Sequence, residues 1–227
     1  SANNTTDVNI SDNYIDEVLN TTTAALGSSA AIWLGQSSAT GTISNLTIER
    51  NTINNIKTDI SKKVFESAPY EDVGKYTASG IYIGVAWKNP TGSVSNAVIT
   101  DNTITNVIGG ISYGIQLSGN TPELDMINNA IDNVSSPTSP SYAYCVGMTS
   151  TNHGTETIEI NNNSFTNSLY GVINTSTYNV DATCNWWSTA DGDDIPLLVS
   201  GDVDFNPWLI SSGTQNNPGF TPDPGSC

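Results

Sequence analysis

The stretch Ile158-Glu159-Ile160-Asn161-Asn162-Asn163-Ser164-Phe165-Thr166-Asn167 decides how this chain folds. It reads apolar-x-apolar-x-x-Asn-x-apolar-x-Asn. The same frame fits residues 8–18, 46–56, 97–107 and 124–134, with Glu17 in place of the last asparagine in the first copy. The inner asparagine recurs as Asn13, Asn51, Asn102, Asn129 and Asn163. Three residues before it stand Ile10, Ile48, Ile99, Met126 and Ile160, and two after it Ile15, Ile53, Ile104, Ile131 and Phe165. A frame repeated this often puts a solenoid ahead of any other architecture.

Within each copy the period of two requires a short strand before the asparagine and another after it. Asparagine turns the chain through the left-handed conformation cheaply, so a turn is expected at the inner asparagine itself. Asparagines stacked at equivalent turns would pass amide hydrogen bonds from rung to rung. A third strand follows downstream at residues 31–35, 80–84, 114–118, 145–149 and 171–175. Its first position is always small, which predicts a tight bend. Its second and fourth positions are mostly aliphatic and should face inward. Its third position, Trp33, Tyr82, Gln116, Gly147 and Ile173, should face outward. Three strands per unit with stacked equivalents describe a wound coil, each turn pairing in parallel with the next at ~4.8 Å.

Spacing between the repeats is uneven, and the surplus places insertions. Residues 19–29, 57–78 and 135–142 fall at one corner of the coil and should build a wall there. Residues 60–66 suit a short helix. The last unit departs from the frame. Trp186, Trp187, Phe205 and Trp208 suggest an aromatic lid over the open end of the stack, which repeat proteins need. Beyond residue 210 the chain is rich in Gly, Asn and Pro and reads as a tail over 211–227.

Composition narrows the partners. Six Lys and Arg oppose 22 Asp and Glu, for a net charge of −16. Nucleic acid and anionic membrane would be repelled. No apolar run approaches the ~20 residues of a membrane-spanning helix. No leader precedes the first repeat, which predicts a removed leader or a segment of something longer. Scarce lysine, abundant Thr and Asn, and acidity favour an extracellular or cell-surface setting.

At this point the sequence resembles a known architecture. The repeat looks like the right-handed parallel β-helix of pectate lyases and of many secreted and cell-surface proteins. The segment Asp181-Ala182-Thr183-Cys184-Asn185-Trp186-Trp187, followed by Val203-Asp204-Phe205-Asn206-Pro207-Trp208-Leu209, is similar to the closing segment of β-helix modules in large bacterial and archaeal surface proteins. The fold expected is therefore all-β, a single right-handed parallel β-helix over residues 1–210, with about five to six coils and a C-terminal aromatic cap. The fold hosts polysaccharide lyases, glycosidases, tailspikes, adhesins and surface-layer components, so it does not fix an activity.

Candidate residues fall into several groups. Trp33, Tyr82 and Gln116 share an outward column, and an exposed Trp beside a Tyr makes a flat apolar platform for sugar rings. Asp125 and Glu159 should be neighbours ~5 Å apart, a separation that suits a retaining glycosidase pair or a pair of solvated acids. Asp191, Asp193 and Asp194 offer oxygen ligands in a turn of the kind calcium uses, although such a turn forms without an ion. Asp12, Arg50 and Asp101 should form an ion-pair column rather than a catalytic arginine. His153 lacks companions for a metal site or a triad. Cys145 and Cys184 would lie two rungs apart, ~10 Å, beyond the ~7 Å reach of a disulfide. A Cys184–Cys227 bridge is then expected, with an intermolecular bridge through Cys227 as the alternative. Together these residues predict a non-catalytic extracellular structural module that binds glycan or assembles with copies of itself. A polysaccharide-active enzyme built on Asp125 and Glu159 is the alternative.

Overall fold

A computed structural model of the chain describes residues 4–21, 28–36, 41–58, 76–85, 92–137, 142–149 and 156–211. Its strands form three sheets in which every pairing is parallel. The first sheet runs β1 (Thr5–Ser11), β5 (Thr42–Glu49), β8 (Ser93–Thr100), β11 (Leu124–Ile127), β14 (Thr157–Asn161), β17 (Asn179–Asp181) and β19 (Val203–Asp204). The second runs β2 (Tyr14–Asp16), β6 (Thr52–Thr58), β9 (Thr103–Ile108), β12 (Ala130–Ser135) and β15 (Ser164–Thr166), and β3 (Leu19–Asn20) also pairs with β6. The third runs β4 (Ser29–Gln36), β7 (Thr77–Val85), β10 (Ile111–Ser118), β13 (Ala143–Met148), β16 (Tyr170–Asn174) and β18 (Val199–Ser200). The chain visits the sheets in rotation, so it winds a right-handed parallel β-helix. Among the described residues five successive turns have a strand in each of the three sheets, β17 and β18 belong to a sixth turn, and β19 opens a seventh. No α-helix occurs among the described residues, and none there is long and apolar enough to cross a membrane.

Register follows the repeat frame. Val8 pairs with Leu46, Leu46 with Ala97, Ala97 with Leu124, and Ile158 with Val180. Each inward residue therefore sits on its own equivalent, and from the second coil on these columns are almost wholly buried. A buried Ile or Leu contributes about 1.5–3 kcal/mol relative to exposure. The narrow interior thus supplies a continuous core despite a modest apolar content.

The inner asparagines stand in one file inside the helix. Asn13 Nδ2 donates to Asn51 Oδ1 at 2.9 Å, Asn51 to Asn102 at 2.9 Å, and Asn102 to Asn129 at 3.0 Å. Asn129 then donates to Asn163 at 3.0 Å and Asn163 to Asn185 at 3.0 Å. Asn185 is a sixth rung that the repeat reading missed. Its signal was present, because Val180-x-Ala182-x-x-Asn185-x-Trp187 keeps the frame as far as the aromatic residue.

Two local expectations need correction. The inner asparagines are not the left-handed residues. The turn falls one position earlier, at Asp12, Arg50, Asp101, Asn128, Asn162 and Cys184, with φ between 51° and 60°. A second left-handed column, Glu17, Asn55, Asn106, Asn133 and Asn167, uses the outer asparagine of the frame. The small residue opening the third strand is not there for a bend either. A Cβ at Gly80 would lie 2.5 Å from Ile104 Cγ2, and one at Gly114 2.4 Å from Ile131 Cγ2. Close packing against the second sheet demands small residues there.

The described ends of the three insertions fall at one corner, between the second and third sheets, following β3, β6 and β12. Most of residues 57–78, including the helix expected at 60–66, lies outside the described residues. At the far end Trp187 is buried against Phe165, ring centroids 5.2 Å apart. Ile195 and Leu209 of the closing segment are also buried, and Phe205 and Trp208 pack partly on the core. Trp186 has a different place, bridging to Ser164 and so continuing the second sheet.

Candidate functional site

The outward column of the third sheet forms as expected. Trp33 pairs with Tyr82, Tyr82 with Gln116, Gln116 with Gly147, and Gly147 with Ile173. Glycines explain how the two rings lie. A Cβ at Gly35 would come 2.6 Å from Trp33 Nε1, and one at Gly84 2.4 Å from Tyr82 Cε1. Each ring therefore extends along its strand over the next outward residue, which has no side chain to lift it away. The rings meet with centroids 4.6 Å apart and planes 43° to each other. Strand β4 is the edge of its sheet, so no described strand carries a ring beyond Trp33. The indole is 58% exposed, while Tyr82 is half-buried. Gln116 follows in the column, but its Oε1 accepts the Ser79 hydroxyl at 2.8 Å, so its amide is already partly engaged.

A cleft of about 570 Å³ opens beside the indole. Its lining combines apolar Val18, Leu19, Ala30 and Trp33 with polar Asn20, Thr21, Ser28 and Ser29. Leu19 is 59% exposed, and Asn20 Nδ2 donates to the Ser28 carbonyl at 2.8 Å, tying two walls together. Such a site offers an apolar ring face with amide and hydroxyl groups at its rim. That combination suits a ligand with one apolar face and a hydroxylated edge.

Sequence reasoning missed a second aromatic column on the same sheet. Tyr113, Tyr144 and Tyr170 stack in register, with centroids 5.3 and 5.7 Å apart. Tyr113 immediately precedes the glycine from which the third strand was counted, so it fell outside the frame. Tyr144 is only 7% exposed, and this column serves mainly to hold the coils together.

Asp125 and Glu159 are direct neighbours, as expected. The column continues, because Glu159 pairs with Asp181 and Asp181 with Asp204. Asp181 Oδ1 is occupied by the Thr183 hydroxyl at 2.7 Å and the Thr183 amide at 3.0 Å. The arrangement is a run of four acids on an outer face rather than an isolated pair. At Asp191 the carboxylate accepts the Asp193 amide at 3.0 Å, and the turn leads through Asp194 into a single 3-10 turn at Ile195–Leu197. Among the described residues no group of three or more His, Cys, Asp and Glu is arranged to hold a metal.

Arg50 binds Asp12 through two nitrogens, at 2.8 and 2.9 Å, and also reaches Glu49. Asp101 instead takes the Thr100 hydroxyl at 3.2 Å, so the expected column is a pair and not a ladder. Hydrogen bonding from Arg50 holds the Asp12 carboxyl below the usual carboxylate range. Cys184 is disulfide-bonded and Cys145 is a free buried thiol, whereas Cys227 lies outside the described residues. His153 also lies outside them. The chain matches no protein-family model, no curated protein and no solved structure.

Proposed function

We propose that this chain is a non-catalytic β-helix module of the extracellular surface that holds glycan at Trp33. The observation that carries the reading is the open indole at the edge of the third sheet, backed by Tyr82 and flanked by the cleft. A pyranose could stack on the indole as the next ring of the column, with its hydroxyls toward Asn20, Thr21 and Ser28. The acidic surface fits neutral or cation-bearing sugars better than uronates. Within the parallel β-helices, the repeat frame and the closing segment favour kinship with pectate-lyase-type folds and surface-protein modules.

A glycan array probed with the wild-type chain and with Trp33→Ala tests the proposal. Binding to a neutral glycan should fall by about tenfold or more in the variant. Undiminished binding by Trp33→Ala, or no binding by either protein, would overturn it.

A further inference from the structure

Gln116 interrupts the outward column of the third sheet, which otherwise reads Trp33, Tyr82, Gly147 and Ile173. It stands in mid-sheet, on β10, with β7 on one side and β13 on the other. Its register partners are Tyr82 and Gly147. The Tyr82 ring extends along β7 over Gly84. A Cβ at Gly147 would collide with Tyr113 Cδ1 and Cε1, so the Tyr113 ring lies across the place that a side chain at Gly147 would take. Gln116 therefore has an aromatic ring on each side. Behind it, Ser79 is 2% exposed and donates its hydroxyl to Gln116 Oε1 at 2.8 Å. That bond fixes which end of the amide is occupied. The other end, Nε2, has no acceptor among the described residues, although the side chain is half-buried.

An amide nitrogen of this kind donates and does not accept. The ligand group that suits the place accepts without donating. A hydroxyl brings a proton of its own, and Gln116 Oε1 already serves Ser79. A carboxylate accepts, but it meets a chain of net charge −16. An acetamido group is neutral, accepts through its carbonyl and lays its methyl on a ring face. Gln116 lies two rungs from Trp33, ~10 Å along the axis, a span that a short sugar chain covers. We infer that Gln116, oriented by Ser79, is a second subsite of the glycan site at Trp33 and selects an N-acetylated sugar chain laid along the axis of the coil. The inference rests on the Trp33 reading and adds to it which glycan is held and in which direction. The chain runs from the indole across Tyr82, and the acetamido carbonyl of a sugar two rungs on accepts from Gln116 Nε2. Ser79 touches no sugar and acts through Gln116, as a positioning residue.

The test is a calorimetric titration of the whole chain with chitotetraose and with cellotetraose, which share their linkage and differ at the acetamido group. Chitotetraose should bind about tenfold or more tightly than cellotetraose. Gln116→Glu keeps an acceptor for Ser79 and gives up the donor. It should bring chitotetraose down to the level of cellotetraose, whose binding at Trp33 shows that the variant is folded. Ser79→Ala should narrow the preference by about threefold, a ratio that a general loosening of the sheet would not move. A preference that survives Gln116→Glu would overturn the inference. So would equal binding of the two tetramers by the wild-type chain; if Trp33→Ala then loses both, the Trp33 reading stands without it. Binding of neither tetramer would overturn both.

Discussion

Asn102 makes five polar contacts with one side chain, its two Nδ2 protons shared among three acceptors. Its Oδ1 receives the Asn51 amide at 3.0 Å and Asn51 Nδ2 at 2.9 Å. Its Nδ2 donates to the Ile48 carbonyl at 2.8 Å, the Thr100 carbonyl at 2.9 Å and Asn129 Oδ1 at 3.0 Å. Alanine there would strand several buried groups at once, each costing about 1–3 kcal/mol. Asn102→Ala should therefore lose about 3–5 kcal/mol in urea denaturation, and Asn13→Ala, at the exposed end, about 1 kcal/mol or less. The ladder was legible in the sequence because a buried polar residue at fixed spacing must find its partner in its own equivalent. The left-handed position was not legible, because Asp, Asn, Arg and Cys all occupy it and share no common chemistry. Asp12 is one of these, and its proton reports the Arg50 contact. The carboxyl is held low in the folded state, so the contact supports folding above the ordinary carboxylate range and fades as pH falls through the lowered value. A carboxyl NMR titration should show the Asp12 midpoint moving up in Arg50→Met.

At the scale of a strand, parallel in-register stacking makes every outward residue the neighbour of its equivalents. That rule puts Trp33 on Tyr82, and it equally puts Asp125, Glu159, Asp181 and Asp204 in one line. Like charges directly opposite one another on adjacent strands are destabilising. Glu159 has an acid on both sides. Glu159→Gln should accordingly raise stability by about 0.5 kcal/mol in chemical denaturation at neutral pH, with less gain at high salt. Unchanged stability at low salt would mean that the carboxylates swing apart into solvent. The pairing of Asp125 with Glu159 could be read from the repeat. The two further acids could not, because the closing segment was set aside as irregular, although Asp181 and Asp204 keep the outward phase of the first sheet.

Over the whole molecule the strand pairings join each coil to the coils beside it, so stability passes along the axis mostly by nearest-neighbour contacts, with one bridge across a turn where the Tyr178 hydroxyl, just before β17, donates to Asn120 Oδ1, just before β11, at 2.6 Å. The end that frays first then governs access to the interior. Trp187 closes one end: it is 1% exposed, stacks on Phe165 and fills the space above Gly171. Trp187→Ala should cost about 3–5 kcal/mol. Its indole N–H is buried and has no acceptor among the described residues, which favours the lower part of that range. Cys145 reports the consequence. Burial pushes this thiol up to about 12, so in the folded helix it is both protonated and shielded. At pH 8 it should resist a thiol reagent until the coils around it open. A folded-state value above the ordinary thiol value of 9.0 also means that any stability tied to this proton is lost as pH rises beyond that value. The cap lies beyond the coil that follows Cys145. If opening propagates from the cap, Trp187→Ala should speed labelling of Cys145 by more than it speeds exchange in β5, which lies nearer the other end. Equal acceleration of both would show that the helix opens all at once, and the nearest-neighbour account would have to be abandoned.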